Sequence, residues 1–187
     1  MECDLIYLVK IYLFILFSLL LLSCSENESK VVPAQIKDTL DASQKADLIS
    51  WDIEVLFVDS SYTKAVLNAR RARMFSERQL TYLDGGLKVE FLSKITGKRV
   101  SLLTADSARI DDKTKNMLAQ GKVLVIADSS QTRLETTLLS WDNSNQKLFS
   151  TEFVKITLPQ QTIQGWGFES DLNLTNYKIF KVSGEQK

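Results

Sequence analysis

The chain has 187 residues, with 23 Lys and Arg against 23 Asp and Glu, two Cys, two Pro, seven Gly and no His. This length builds one domain, or two small ones, around a proper core. The balanced charge argues against a nucleic-acid partner, which needs a net basic face. The absence of His excludes a Ser-His-Asp triad, a Cys-His pair, His-ligated zinc and an imidazole switch.

Residues Ile11 to Leu22 are apolar apart from Ser18 and follow Lys10. As a helix they would reach about 18 Å, short of a bilayer core of about 30 Å, which is the length of a signal-peptide core. The segment ends Leu21-Leu22-Ser23-Cys24, an aliphatic residue at −3 and a small one at −1 before a Cys. This resembles a bacterial lipobox, so residues 1–23 read as a signal peptide and Cys24 as the site of lipid attachment. An uncleaved anchor is the alternative reading of the same segment. Cleavage would leave Cys24 as the only Cys, so no disulfide would staple the domain. Several acyl chains on it would hold the protein at a membrane, which one chain does only marginally. Residues 24–47 are polar, with Pro33 and no sustained apolar face, and read as the acylated Cys and a flexible tether.

From Leu48 the pattern has period two. Trp51, Ile53, Val55 and Phe57 alternate with mostly polar neighbours and predict a half-buried strand with these four residues on one face. Further strands are expected at Leu87 to Leu92, Val100 to Leu103, Val123 to Ile126, Leu134 to Leu139, Leu148 to Phe149, Val154 to Leu158 and Tyr177 to Val182. Turn clusters such as Asp84-Gly85-Gly86, Asp111-Asp112-Lys113 and Asp142-Asn143-Ser144 separate them. The spacing argues for an all-β fold over 48–183, followed by a tail at 184–187.

The stretch Thr63 to Leu80 is rich in Ala, Arg, Leu and Glu, and propensity alone would make it helix. An internal repeat argues otherwise. A shift of 36 residues lays Met74, Tyr82, Gly85, Leu87 and Val89 on Ile110, Leu118, Gly121, Val123 and Val125. A shift of 31 lays Ile110, Leu118, Val123 and Val125 on Trp141, Phe149, Val154 and Ile156. The Ala/Arg stretch thus takes the place of segments that read as strand, and it is assigned as strand. One strand-turn-strand unit cannot bury its apolar face alone, so stacked copies share a core, and the matched columns form continuous apolar stripes. Taken singly, each residue of such a stripe is ordinary core.

The string from Leu103-Thr-Ala-Asp-Ser-Ala-Arg-Ile-Asp111 through Ala119-Gln-Gly-Lys-Val-Leu-Val125, Leu134-Glu-Thr-Thr-Leu-Leu-Ser-Trp-Asp142 and Ile163-Gln-Gly-Trp-Gly-Phe-Glu-Ser-Asp171 resembles the LptC family of lipopolysaccharide-export proteins. More broadly it is similar to the OstA-type domain of the Lpt proteins, over residues 48 to 183. The resemblance implies a twisted antiparallel β-jelly roll, open at its ends, on the periplasmic face of the inner membrane. It implies a carrier rather than an enzyme, with no cofactor. Such a carrier takes lipopolysaccharide from an ABC transporter and passes it to a homologous, LptA-like bridge protein. The family's usual anchor is a transmembrane helix, which the Cys24 signal would replace.

On this reading Val89, Phe91, Val123, Val125, Phe149, Val154 and Ile156 are the candidate lining of a groove for the lipid A acyl chains. The last strand, with Tyr177, Ile179 and Val182, is the candidate edge for the partner. An envelope lipoprotein that binds another lipid, or that acts by strand addition, is the alternative. A carboxylate hydrolase finds little support. Lys64, Arg70, Arg71, Arg73 and Arg78 read equally as a phosphate-facing cluster or a solvated strand face. Asp111 and Asp142 read as turn residues, Gly165-Trp166-Gly167 as a bulge or bend between strands, and no metal site is expected.

Overall fold

The computed structural model describes residues 45–186, so Cys24, the signal segment and most of the tether lie outside the described residues. Ten strands follow in chain order: β1 (Leu48–Asp59), β2 (Tyr62–Phe75), β3 (Leu80–Leu92), β4 (Arg99–Ala105), β5 (Ser107–Asp111), β6 (Met117–Ala127), β7 (Arg133–Asp142), β8 (Lys147–Thr157), β9 (Thr162–Asp171) and β10 (Tyr177–Gln186). No helix occurs among the described residues. All pairings are antiparallel, and the strands lie in the order β1-β2-β3-β4-β6-β7-β8-β9-β10, with β5 between β3 and β6. β4 and β5 are one strand interrupted at Asp106. The Ala/Arg stretch is strand β2, as the repeat requires, and it ends at Phe75 before a turn at Ser76 to Gln79.

The strands do not run straight. Register shifts fall near the middle of the β2–β3, β6–β7, β7–β8 and β8–β9 ladders. Left-handed residues lie along the same line: Asp52 (φ 47°), Gly85 (80°), Gly86 (91°), Gly121 (74°), Lys122 (44°) and Gly167 (76°). Hydrogen bonds stitch the line across the sheet, Gly86 N–H to the Asp106 carbonyl at 3.0 Å and Asp106 N–H to the Gly121 carbonyl at 2.9 Å. Bulges bend strands and increase twist. A row of them folds this single sheet over itself, and its two halves pack face to face.

The core lies between the halves. One half contributes Leu83, Ile110, Met117, Leu139, Trp141, Leu148 and Phe168, and the other Leu67, Val89, Phe91, Leu103, Val125, Leu134, Val154 and Ile156, all buried. Phe57 of β1 and Phe91 of β3 meet the Trp141 ring edge-on, with centroids 4.9 Å and 5.1 Å apart. These contacts join strands that are not neighbours in the sheet, and edge-to-face pairs add stability beyond the area they bury.

Three expectations are corrected. Asp84-Gly85-Gly86 is not a turn between strands but lies inside β3, where Gly85 and Gly86 take left-handed backbone. Trp51 does not share a face with Ile53, Val55 and Phe57: it is 63% exposed, whereas Ile53 and Val55 pack on the core and Phe57 is buried. The left-handed turn of the chain at Asp52 resets the alternation. In its outward place Trp51 carries the Arg71 guanidinium 5.5 Å from its ring centre. Gly165-Trp166-Gly167 is not a bend between strands but the middle of β9, where Gly167 carries the bulge.

Candidate functional site

The repeat columns separate cleanly into two faces. Leu87, Val123 and Val154 point inward and are buried, as are Val89, Val125 and Ile156. Phe91, on the same face of β3 as Val89, is fully enclosed. Six of the seven candidate groove residues therefore form one continuous apolar interior. Phe149 is apart from them, 44% exposed on the outer face near Phe180. The sequence carried the signal for this. Phe149 stands five places before Val154 in one strand, and an odd separation puts two side chains on opposite faces. Its column mates Tyr82 and Leu118 are likewise not among the buried core.

The interior opens beside β1. A cleft of about 530 Å³ is lined by Ser50 and by Ile53 to Val58 of β1, by Ala72 and Met74 of β2, by Thr81 and Ile110, and by Asp112, Lys115 and Asn143 in turns at its rim. Met74 is 38% exposed although its column mates Ile110 and Trp141 are buried, because it stands at this opening. The cleft and Met74 were not singled out from sequence. They depend on where the folded sheet leaves β1 uncovered.

A buried cation closes one end. Lys64, 7% exposed, forms an ion pair with Asp59 at 3.0 Å and donates to the Asn143 carbonyl at 3.2 Å, tying the β1–β2 end to the β7–β8 turn. The Lys64 bond holds the Asp59 carboxyl below the ordinary carboxylate range. The other basic residues of the stretch are not gathered with it. Arg71 and Arg73 share the Asp84 carboxylate at 3.2 Å and 2.9 Å, and Arg78 lies over the Phe75 ring. The five therefore do not form one phosphate-facing cluster.

Asp111 and Asp142 hold equivalent turns. Asp111 accepts from the backbone and side chain of Thr114 and from the backbone of Lys113, and Asp142 from the side-chain amide and backbone of Asn145 and from the backbone of Ser144, and these bonds keep both carboxyls low. The turns employ these carboxylates, and no cluster of metal-ligating side chains occurs among the described residues.

Both ends of the sheet are edges. β1 pairs only with β2, and β10 only with β9. On β10, Tyr177 and Ile179 pack partly buried on the core, while Val182 is 60% exposed. β10 sits close on β9: a Cβ at Gly165 would fall 2.7 Å from Ile179 Cγ2, and one at Gly167 2.8 Å from the Phe180 ring.

An inward apolar face, an open cleft and two free edges are the features of a carrier. Comparison with known proteins bears on this directly. No curated protein matches the chain. Among solved structures it is similar to LptH of Pseudomonas aeruginosa, the LptA-homologous periplasmic component of the lipopolysaccharide transport device. The two are 13% identical, with 63% of this chain and 82% of that one covered and a TM-score of 0.50, which shows a shared fold. The family described as lipopolysaccharide-assembly, LptC-related, matches residues 11–183. The chain belongs to this LptC-related family and is a periplasmic lipopolysaccharide-transport protein with a β-jelly-roll domain.

Proposed function

We propose that this domain takes lipopolysaccharide from the inner-membrane Lpt ABC transporter and passes it to a homologous, LptA-like bridge protein. The observation that carries the reading is the continuous inward face of Val89, Phe91, Val123, Val125, Val154 and Ile156, which Trp141 links from Phe91 to Phe57 in the wall of the cleft beside β1. A twelve-carbon acyl chain exposed to water costs about 10 kcal/mol at about 0.8 kcal/mol per CH₂. An apolar interior removes most of that cost while the sugar stays outside. These side chains are fully packed without cargo, so loading requires the two halves to separate. The ladder bonds run between strands that cross the bulge line, so the halves can splay about that line without breaking the ladder, at the expense of the Lys64 bond to the Asn143 carbonyl. β10, with Tyr177, Ile179 and Val182, offers its free edge to the bridge protein, where Lys178 and Lys181 discourage promiscuous pairing. Cys24 holds the domain to the inner membrane by its acyl chains, with a transmembrane anchor as the alternative.

A photo-crosslinking amino acid at Val125 and at Ile156 in cells tests the reading. Lipopolysaccharide adducts are expected at both and are expected to be absent at Leu124 and Lys155 on the opposite face. No adduct at any of the four would leave a structural envelope protein instead. Incorporation of labelled palmitate that is lost in Cys24→Ala tests the anchor separately.

A further inference from the structure

The turns that join β5 to β6, β7 to β8 and β9 to β10 lie along one margin of the sheet and share one design. Each begins at an aspartate, Asp111, Asp142 or Asp171, and reaches the first apolar residue of the next strand, Met117, Leu148 or Tyr177, six places on. Asp171 organises the third turn as its counterparts do the others: it accepts from the backbone of Thr175 and Asn176 at 3.0 Å and 3.4 Å, and from their side chains at 2.8 Å and 2.9 Å. The residues in between differ. Asp112-Lys113-Thr114-Lys115-Asn116 and Asn143-Ser144-Asn145-Gln146-Lys147 are polar throughout, and Asp112, Lys115 and Asn143 stand at the open cleft. The third turn carries Leu172 and Leu174, both buried in the core at 8% and 2% exposure. Leu174 does so from left-handed backbone, φ 53°, which a bulky residue seldom adopts. The interior is thus open with a polar rim beside β1 and stoppered by two leucines beside β10, at the opposite end of the sheet.

The turn needs no leucine to form, as the two polar ones show, so the pair serves the interior. Capping an apolar core is one reason to bury them, but the fastening is light. Toward the opposite margin the turn accepts one long bond, from the Ser130 hydroxyl to the Asn173 carbonyl at 3.5 Å. Its own shape is held by Asp171, so it can swing as a unit. It also runs straight into β10, the strand whose free edge is offered to the bridge protein. We infer that residues 171–176 are the exit gate of the carrier: Leu172 and Leu174 seal the interior at its β10 end, and cargo leaves there only when the turn swings away from Ser130. A strand added to β10 acts on the gate through Tyr177, which ties opening to the arrival of the partner. This inference rests on the carrier reading above and adds to it a stop between loading and handover.

Ser130→Cys combined with Asn173→Cys tests this in the full chain in cells, with the disulfide confirmed by loss of both free thiols. A photo-crosslinking amino acid at Val125 reads loading, and one on the inner face of the LptA-like partner reads passage. The locked chain is expected to keep its lipopolysaccharide adduct at Val125 and to give none on the partner, and a reductant should restore passage. Either cysteine alone should change neither signal. Partner adducts from the locked chain would overturn the inference and leave the carrier reading standing. Loss of the Val125 adduct on locking would also overturn it, because the turn would then serve entry. No Val125 adduct in the unlocked chain would overturn both. If the disulfide does not form, Leu172→Asn with Leu174→Asn, polar like the other two turns, decides instead. Passage per loaded chain should rise about tenfold, the transfer energy of one buried leucine expressed as a ratio, and unchanged passage would overturn the gate.

Discussion

Gly85 and Gly121, 36 residues apart in the sequence, hold the same left-handed backbone, with φ of 80° and 74°. Each faces a side chain of the neighbouring strand: a Cβ at Gly85 would lie 3.1 Å from the Arg70 Cβ, and one at Gly121 2.7 Å from an Asp106 carboxylate oxygen. The repeat therefore preserves a bend together with the space that the bend requires. Gly121→Ala meets both the backbone strain and the Asp106 contact and is expected to cost about 2–3 kcal/mol in urea unfolding. Gly86→Ala, with φ of 91° and nothing within 4 Å of its Cβ, meets only the strain and should cost about 1 kcal/mol.

The edge proposed for the partner depends on another glycine. Gly165→Ala would drive a methyl into the Lys181 carbonyl and Ile179, pushing β10 off β9. Hydrogen exchange should show β10 amides losing protection while β2 to β4 keep theirs, and capture of the LptA-like partner should fall at least tenfold. Unchanged β10 protection would refute this account of the edge.

Facing predicts where lipid contacts stop. A photo-crosslinker at Phe149, on the outer face, should give no lipopolysaccharide adduct, whereas one at Met74, in the cleft, should give one. Adducts at Phe149 and none at Met74 would place the lipid path on the outside of the sheet.

Acid should weaken the closed end. The Asp59 carboxyl is held low, first by its hydrogen bond from Lys64 and then by that from Ser60 and the charge of Lys64. A lowered carboxylate contributes stability above its unfolded value near 3.8, and that contribution is lost as pH falls through the lower folded value. Asp111 and Asp142, lowered by their turn bonds, act in the same sense. Urea midpoints measured from pH 6 down to pH 2 should therefore fall below about pH 4. Lys64→Met should be less stable at pH 6 and show a shallower fall, having lost the bond that lowers Asp59.

The sequence by itself determined most of the strands, the turns at Asp111 and Asp142 and the equivalence of the repeats, but not β5 or β9. Period-two alternation reports a half-buried strand whatever surrounds it, and matching columns reported that the Ala/Arg stretch was strand against its own propensity. The odd spacing of Phe149 from Val154 also sets the two on opposite faces, a signal that grouping both in the groove lining passed over. What the sequence did not determine is where alternation breaks. Asp52 turns left-handed inside β1 and sends Trp51 outward, and no local residue pattern demanded a bulge there, since the bend is set by the sheet folding over itself. The cleft beside β1, the Lys64 tie to Asn143 and the meeting of Phe57, Phe91 and Trp141 arise from the same cause. Each joins residues far apart in the chain, and only the packing of one half of the sheet on the other brings them together.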